Sequence, residues 1–572
     1  MRSLKRPLSV AALVLCAVPL DPARAVPGDD EIREILRERV GEQADRTGIV
    51  VGVIEPDGRR IVAYGSAGAG ADRPLDGDAV FEIGSVTKVF TALLLADMAE
   101  GGEIGLDDPV ERYLPDGVNV PERGGRSITL RELALHHSGL PRLPGNMDPA
   151  DPTNPYADYS VEQLYAFLSS HELQRDIGAQ YEYSNLGYGL LGHALARAAG
   201  VDYETLVRER IAEPLGMAST AATLNRDLRS RLATGHDVRR RETSNWDLPT
   251  LPGAGALKST ANDLLSFLAL FLGQHDEPLE DPLSVMLTER RPAGPGMEIA
   301  LGWHIRQRAD DEGIVWHDGG TGGYRSFVGL DPAAGAGVVV LTNVSTPAGV
   351  NDIGLHLLDA TLPLLPADSP LLETPRERTR ITLEPEALDP LVGRYAFGPG
   401  IEMTVTREGN RLFVTPTGQP RTEVFPESAT RFFFDAVDAD IEFRTDEQGR
   451  VHSLVVTQLG TAQVARKLDS DADEPEEWFG YRVADVDPAI YDGYVGQYRL
   501  TPALTFTITR DGDSLFAQLT GQPRVEIFPA SEVLFFYKVV DAQITFEPDE
   551  SGRANALVLH QAGQNPRAER ID

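Results

Sequence analysis

The sequence predicts an α+β fold, with one antiparallel sheet flanked by helices plus a helical insertion, followed by two small antiparallel β-barrels. Three observations support this prediction. Strand-like segments occur at both ends of a long helical region, a proline-rich segment follows that region, and the C-terminal part is duplicated. The 572 residues correspond to three or four domains at about 150 residues each, and the 42% hydrophobic content excludes wholesale disorder.

The N-terminal unit begins with a helical pattern and then a hairpin pattern. Apolar residues at helical spacing predict an amphipathic helix over 29–43. Strand-like runs at 49–55 and 60–65 follow, joined by a Pro-Asp-Gly turn that is typical of a hairpin. Helical patterns then dominate to about residue 275, and strand-like runs return at 313–317, 326–330 and 337–342. The simplest assembly is one antiparallel sheet with helices packed against it.

The C-terminal part contains an internal repeat in one constant register. The matching positions are all shifted by 103 residues and include Gly393 and Gly496, Tyr395 and Tyr498, Phe425 and Phe528, and Phe432 and Phe535. Each copy alternates apolar and polar residues over short runs between glycine, proline and aspartate turns. Two units are too few for a solenoid, so we expect two barrels that are closed to remove their strand edges.

These patterns define the expected domains. The α+β unit is placed at 26–366, and the segment 364–389, rich in proline and charge, is interpreted as a linker. The two copies of the repeat are expected to form lipocalin-like β-barrels at 385–468 and 487–572.

Residues 1–25 are typical of a cleavable signal peptide. A basic start precedes a mostly apolar stretch at 8–20, and a small-x-small sequence offers a cleavage site after Ala25. A transmembrane helix needs about 20 apolar residues, and no segment reaches this length. We therefore expect a secreted or periplasmic protein with no membrane span. The single cysteine, Cys16, lies in the signal peptide, which excludes disulfides and thiol catalysis in the mature chain.

The net charge of −34 and the shortage of lysine restrict the function further. Phosphate recognition needs a basic surface, so a nucleic-acid partner is not expected. Only five lysines occur, namely Lys5, Lys88, Lys258, Lys467 and Lys538. Because lysine is so scarce, each of these lysines is a candidate for a specific chemical role.

Ser85 and Lys88 form a Ser-x-x-Lys sequence at the start of a strong helical pattern that ends at Gly101-Gly102. Residues three apart lie on one helical face, so the amine can reach the hydroxyl. A serine hydroxyl is a weak nucleophile without such a base, and free N–H groups at a helix N-terminus suit a developing oxyanion. Taken alone, Ser85 could equally be a helix cap and Lys88 a surface residue.

Two further motifs contain groups that suit acyl transfer. Tyr183 and Asn185 precede an apolar helix pattern, where a phenol can relay a proton and an amide can bind a substrate amide. His317 begins a His-Asp-Gly-Gly sequence after a strand-like run, and Gly319 and Gly320 allow close approach of a ligand to backbone N–H groups. Each motif alone is also consistent with a capped helix or a glycine-rich hairpin.

The order of the three motifs resembles the penicillin-binding-protein and class C β-lactamase superfamily of serine hydrolases. Further segments are similar to that family, namely Phe81-Glu82-Ile83-Gly84, 128–140 with its His-Ser-Gly-Leu sequence, and Leu257-Lys258-Ser259-Thr260. The resemblance covers roughly 30–360 and implies a β-lactamase-like fold for the α+β unit. It also implies an acyl-enzyme mechanism.

The resemblance assigns roles to the motif residues. Ser85 is then the acylated nucleophile, while Lys88 and Tyr183 share the general-base and proton-relay roles. Which of the two removes the serine proton is left open. Asn185 is expected to contact the substrate amide, and the backbone N–H groups of Ser85 and Gly320 to form the oxyanion hole.

His317 departs from the lysine that class C β-lactamases have at the first position of the third motif. A histidine is mostly neutral at neutral pH, so recognition of a substrate carboxylate there is less favoured. His-x-Gly followed by two barrels is similar to the D-aminopeptidase branch, in which a barrel loop reaches the active site. The favoured prediction is thus a D-aminopeptidase-like hydrolase of short peptides or amides. A carboxylesterase or weak β-lactamase is the alternative, and a non-catalytic cell-wall binding module comes third.

No cofactor and no metal are expected from the motifs. A His-Glu-x-x-His zinc sequence, a Gly-x-Ser-x-Gly nucleophile elbow and a Rossmann fingerprint are all missing from the sequence. The expected partner is a small-molecule or short-peptide substrate, and a homodimer is possible.

Overall fold

The computed structural model describes most of the chain after residue 25. The described residues are 26–69, 73–274, 282–294, 296–308, 313–367, 369, 371–372, 378–398, 401–417, 421–435, 439–458, 461–468, 478–501, 504–520, 524–549, 551–561 and 565–572. The expected signal peptide, part of the expected linker and the acidic segment 469–477 lie outside the described residues. No helix in the described part is long and apolar enough to cross a membrane.

The N-terminal unit is built on one eight-stranded antiparallel sheet. Its strands are β1 (Gly48–Glu55), β2 (Gly58–Gly65), β5 (Arg291–Gly294), β6 (Met297–Ile299), β7 (His304–Arg306), β8 (Ile314–Gly320), β9 (Arg325–Asp331) and β10 (Ala336–Thr342). Their order across the sheet is β2-β1-β10-β9-β8-β7-β6-β5, so the first hairpin pairs with the last strand. A separate two-stranded sheet joins β3 (Phe81–Glu82) to β4 (Lys258–Ser259). The predicted α+β fold is confirmed.

Both faces of the large sheet are covered, because alternate residues of its central strands are apolar on either side. On β1, Val50 and Ile54 belong to one core and Val51 and Val53 to the other. The smaller core also contains Ile32 and Leu36 of the first helix together with Ile353 and Leu357 of the last helix of the unit. The larger core holds the helices of the insertion. This layering fixes the ends of β8 and β9 relative to the helices opposite.

The helices of the N-terminal unit lie mostly between β2 and β5. They are α1 (Asp29–Val40), α2 (Thr87–Glu100), α3 (Leu130–Ala134), α4 (Val161–Ser170), α5 (Asn185–Ala199), α6 (Tyr203–Val207), α7 (Arg226–Arg231), α8 (Ala261–Phe271), α9 (Pro282–Leu287) and α10 (Asn351–Leu358). Helix α2 is buried along most of its length and stacks Phe90 on Phe267 of α8, with ring centres 4.0 Å apart. This packing holds the helix in the core, and the short turn that precedes it, Gly84–Val86, contacts β8 and β9.

The repeat forms two closed eight-stranded antiparallel barrels, as predicted. After the short helix α11 (Pro385–Leu388), the first contains β11 (Gly393–Gly398), β12 (Ile401–Glu408), β13 (Arg411–Pro416), β14 (Thr422–Pro426), β15 (Arg431–Phe433), β16 (Ala439–Thr445), β17 (Val451–Gln458) and β18 (Thr461–Lys467). The second contains β19 (Gly496–Thr501), β20 (Leu504–Asp511), β21 (Ser514–Leu519), β22 (Val525–Pro529), β23 (Leu534–Phe536), β24 (Ala542–Pro548), β25 (Ala554–Gln561) and β26 (Arg567–Arg570).

Equivalent pairs close the two barrels. Tyr395 pairs with Lys467 in the first, and Tyr498 pairs with Arg570 in the second. Both tyrosine hydroxyls donate to a backbone carbonyl oxygen four residues earlier, at 2.7 and 2.8 Å. The constant sequence register thus reflects one repeated three-dimensional plan.

The first barrel contacts the N-terminal unit through charged side chains. Arg239 donates to the carbonyl oxygens of Phe434 and Asp435, and the Asp435 carboxylate lies 3.6 Å from Arg241. The two barrels also meet, since the backbone nitrogen of Val464 donates to the carbonyl oxygen of Val539 at 3.0 Å.

Candidate active site

Ser85 and Lys88 lie at the start of helix α2. Ser85 is in a single 3₁₀ turn, Gly84–Val86, which leads directly into the helix, and Lys88 is in the first helical turn. Gly84 has a φ of +48°, and a Cβ there would lie 2.7 Å from the backbone nitrogen of Gly320. Only glycine permits this approach of the turn to the end of β8. The Nζ atom of Lys88 lies 3.0 Å from Oγ of Ser85, which is hydrogen-bond distance.

The amine of Lys88 is completely buried among neutral oxygen atoms. It donates to Oδ1 of Asn185 at 2.9 Å and to the carbonyl oxygen of Ala254 at 2.7 Å. Within the described residues it forms no ion pair with a carboxylate. Burial, and after it the positive charge of Arg142, hold the pKa of Lys88 well below its usual range. This environment favours the uncharged amine, which is a base.

Tyr183 lies in the segment that leads into helix α5. Ser184 caps that helix, because its hydroxyl accepts a hydrogen bond from the backbone nitrogen of Gly187. The centre of the Tyr183 ring lies 4.8 Å from the nitrogen of Lys88, which places the phenol beside the Ser85–Lys88 pair. Burial raises the pKa of the Tyr183 hydroxyl well above its usual range. This environment favours the protonated phenol beside Ser85.

Asn185 connects Lys88 to a buried tyrosine. Its side-chain oxygen accepts from Lys88, and its amide nitrogen donates to the hydroxyl of Tyr156 at 3.1 Å. The Tyr156 ring packs against Trp246, with ring centres 5.4 Å apart. The hydrogen bonds to Lys88 and Tyr156 together fix the orientation of the Asn185 amide.

His317, Gly319 and Gly320 lie in the second half of β8. A Cβ on Gly319 would overlap the carbonyl oxygen of Ile83 and the hydroxyl of Ser326, so a larger residue does not fit between the strand and the Ser85 turn. His317 is buried, and burial holds its pKa well below the usual range, which keeps the imidazole neutral. Its ring centre lies 6.2 Å from that of Tyr183. The sequence-predicted residues thus meet around Ser85, with His317 next to the tyrosine.

Arg142 is part of this site although sequence analysis did not identify it. Its guanidinium carbon lies 5.1 Å from the centre of the Tyr183 ring, and its backbone oxygen accepts from the nitrogen of Asn185 at 3.0 Å. The side chain is exposed and forms no ion pair with a carboxylate in the described part of the chain. The one sequence signal for Arg142 is its position two residues after the family-like segment 128–140.

The site also contains a group that offers metal-ligand atoms. His304 on β7, His317 and Asp318 each contribute one such atom, and these atoms all lie within 4.8 Å of one another. The sequence gives no signal for His304. Strand β7 has only three residues, and His304 lies 13 positions before His317, outside the three motifs.

Comparison with known proteins agrees with this geometry. Residues 32–361, more than half of the chain, match the Beta-lactamase family. The chain belongs to the Beta-lactamase family. The superfamily resemblance drawn from the three motifs is therefore confirmed. Residues 377–479 and 482–570 both match a family described as a domain of unknown function, DUF3471, so each copy of the repeat corresponds to one such domain.

Several named proteins are similar to this chain in sequence or in fold. The D-alanyl-D-alanine-carboxypeptidase/endopeptidase AmpH of Escherichia coli strain K12 is 30% identical over 62% of this chain and 97% of that protein. Penicillin-binding protein 4* of Bacillus subtilis strain 168 is 26% identical over 76% and 97%, respectively. A solved Beta-lactamase/D-alanine carboxypeptidase from Pseudomonas syringae shares the fold, with a TM-score of 0.50 and 22% identity over 58% of this chain and 98% of that chain. The protein is a serine hydrolase of this family.

Proposed function

We propose that the protein hydrolyses short peptides through an acyl-enzyme on Ser85, with Lys88 as the base that activates the serine. One observation carries this proposal: the buried Lys88 nitrogen has two carbonyl-type acceptors and the Ser85 hydroxyl around it. An uncharged amine has two N–H groups and one lone pair. If both N–H groups go to Asn185 and Ala254, the lone pair faces Ser85 and can accept its proton.

Acylation forms a bond between Oγ of Ser85 and the substrate carbonyl carbon and breaks the C–N bond of the substrate. Oγ of Ser85 attacks the substrate carbonyl carbon while its proton passes to Lys88, and the carbonyl electron pair moves to oxygen. The backbone N–H groups of Ser85 and Gly320 hold this oxyanion. The C–N bond breaks as the leaving nitrogen takes a proton, and water later releases the acyl group from Ser85.

Tyr183 supplies the proton that the leaving group needs. Its environment favours the phenol, whereas that of Lys88 favours the free amine, so the two groups are displaced in opposite directions from their usual pKa values. Such a pair separates base from acid at one pH. The phenol donates its proton to the leaving nitrogen and is reprotonated by Lys88, which releases the proton that it took from Ser85.

Arg142 supports a substrate with a free carboxylate. It provides the permanent positive charge that the neutral His317 cannot provide, and its guanidinium geometry suits a carboxylate. The relative AmpH is named a D-alanyl-D-alanine-carboxypeptidase/endopeptidase. We therefore favour peptides that end in D-alanine.

A D-aminopeptidase-like activity is the second candidate. The neutral, buried His317 and the two C-terminal barrels favour it, because a site without a lysine at that position places less demand on a C-terminal carboxylate. A small-ester hydrolase uses the same acylation steps.

A substrate panel with an active-site label tests these proposals. The panel contains an N-acylated D-Ala-D-Ala peptide, D- and L-alanyl nitroanilides, a short-chain nitrophenyl ester and a chromogenic cephalosporin. We expect release of D-alanine to be the fastest amide cleavage. A fluorophosphonate should add its mass to Ser85, and Ser85→Ala should lose both label and turnover, while Ser170→Ala, on the exposed end of α4, should keep both. Labelling elsewhere, or full turnover by Ser85→Ala, would contradict the assignment.

We also propose that the protein is exported from the cytoplasm. The basic, then apolar start of the chain and the small-x-small sequence before Val26 support removal of residues 1–25 during secretion. Expression of the full chain in a bacterial host, followed by mass determination of the N-terminus in the periplasm or medium, should give Val26 as the first residue. An unprocessed chain retained in the cytoplasm would contradict export.

A further inference from the structure

Two buried histidines face each other beside Tyr183. The ring centres of His304 and His317 lie 5.0 Å apart, and the two residues are 5% and 1% exposed. They lie on the neighbouring strands β7 and β8. Their ring centres lie 6.4 and 6.2 Å from that of Tyr183, so the pair forms a wall of the active site.

Each histidine has one ring nitrogen engaged and the other without a partner. Nδ1 of His317 donates to the carbonyl oxygen of Asp318 at 2.6 Å, and since that oxygen only accepts, Nε2 of the neutral ring carries the lone pair. Nε2 of His304 lies 3.2 Å from the hydroxyl of Tyr181. Nε2 of His317 and Nδ1 of His304 are buried and have no hydrogen-bond partner within the described residues. Buried polar atoms are rarely left in this state, which points to a ligand between them.

Asp318 completes a set of three metal-ligand atoms. One atom from each of the three residues lies within 4.8 Å of the other two. Ligands about 2.0–2.2 Å from a tetrahedral zinc ion lie roughly 3.4 Å from one another, so small side-chain rotations would close the set. Imidazole with one carboxylate suits zinc, whereas magnesium and calcium prefer oxygen ligands throughout. Hydrogen bonds at the opposite ring nitrogens are the contacts that orient metal-binding histidines.

We propose that His304, His317 and Asp318 form a binding site for a zinc ion and that the bound ion inhibits the hydrolase. The site itself is independent of the proposed function, whereas the inhibition rests on it. A dication near Lys88 opposes transfer of the Ser85 proton to that amine, because the transferred proton places a second positive charge near the ion. Transfer of the Ser85 proton is then less favourable, and acylation slows.

Direct titration tests the zinc site without reference to turnover. The untagged full chain is treated with a chelator and titrated with zinc chloride by isothermal titration calorimetry. We expect one ion per chain for the unmodified protein and for His171→Gln, a histidine at the end of α4. The variant His304→Gln keeps a polar side chain near Tyr181 but loses the imidazole, so its affinity should fall at least about tenfold. Magnesium should not bind at this site.

Two results would overturn the site. They are the absence of zinc binding by the unmodified chain, and undiminished binding by His304→Gln. Thermal unfolding checks that His304→Gln is folded, and Asp318→Asn, at a half-buried position, gives the same comparison if it is not.

Measurements of the acylation rate test the inhibition separately from zinc binding. Saturating zinc should lower the acylation rate of the unmodified protein at least about tenfold, because it impairs a base whose full contribution is about 100-fold or more. The rate should recover on adding chelator. The rate of His304→Gln with zinc should equal its own zinc-free rate. Stoichiometric binding without loss of rate would overturn the inhibition. A zinc-free protein with no hydrolytic activity would contradict the proposed function and leave the titration result intact.

Discussion

Lys88 and Arg142 contact the same aromatic ring. The Lys88 nitrogen lies 4.8 Å, and the guanidinium carbon of Arg142 5.1 Å, from the centre of Tyr183. Lys88 is buried and Arg142 is exposed. Burial lowers the pKa of Lys88 and Arg142 lowers it further, whereas burial raises the pKa of Tyr183 and Arg142 opposes that rise. An exposed, permanently charged arginine thus makes both groups easier to deprotonate.

Replacing Arg142 by alanine should move the acidic limb of the kcat/KM profile to higher pH. Without the arginine the pKa of Lys88 rises, so a higher pH is needed to obtain the uncharged amine that accepts the Ser85 proton. The profile is measured from about pH 5 to about pH 9 with a neutral nitrophenyl ester, so that carboxylate binding does not contribute.

Two arginine variants act as controls for this shift. Arg142→Lys keeps the charge and should keep the acidic limb close to that of the unmodified protein. Arg112→Ala removes an exposed arginine that pairs with Asp108 and should not move it. An unshifted limb in Arg142→Ala would contradict the electrostatic role.

Replacing Lys88 by methionine should slow acylation by about 100- to 10,000-fold, the usual contribution of a positioned base. Methionine has a similar volume, so the buried position stays filled. The rate is measured as the single-turnover labelling of Ser85 by a nitrophenyl ester. Lys538→Met, which lies in the second barrel, is the matched control and should acylate normally. Comparable rates for both variants would remove Lys88 from the mechanism.

The residues around Ser85 could be predicted from sequence motifs. Ser85 and Lys88, and Tyr183 and Asn185, occur in two short patterns that combine a nucleophile, a base, a proton donor and an amide. The barrels were predictable for a related reason, since one constant register relates Tyr395 to Tyr498 and a repeated pattern cannot come from two different folds. Both predictions depended on spacing along the chain.

Contacts without a spacing pattern could not be predicted. Strands β5, β6 and β7 have four residues or fewer, and β5 contains a proline and a glycine, so no alternation marks them. His304 on β7 was missed for this reason. Arg142 is a single exposed arginine, and only the tertiary fold brings it to Tyr183.

The variant Tyr156→Phe lacks one buried hydroxyl and should lower kcat/KM for the peptide substrate about three- to tenfold. This loss corresponds to one hydrogen bond of about 1 kcal/mol. This hydroxyl accepts from the Asn185 amide at 3.1 Å and so orients the oxygen of Asn185 toward Lys88. Tyr159→Phe removes a comparable buried hydroxyl that contacts Asn146, also at 3.1 Å, and serves as the control. Equal losses of activity in both variants would indicate a general effect on stability.

Adding a methyl group at Gly319 should damage both stability and activity. A Cβ at this position would overlap the carbonyl oxygen of Ile83 and the hydroxyl of Ser326, which themselves are hydrogen bonded at 2.7 Å. Since the obstacle includes backbone, β8 must move away from the turn that carries Ser85, at a cost of about 1–3 kcal/mol in the free energy of unfolding. Denaturant titration measures this loss.

The same displacement should lower kcat more than tenfold, because an oxyanion donor moved from its place typically costs about 100-fold or more. Gly28→Ala is the matched control, since a Cβ there meets nothing within 4 Å and its φ of −68° suits any residue. It should leave kcat unchanged and lower the free energy of unfolding by no more than about 1 kcal/mol, the usual effect of alanine at a helix N-cap. A Gly319→Ala variant with normal kcat would show that the spacing between β8 and the Ser85 turn does not set the reaction rate.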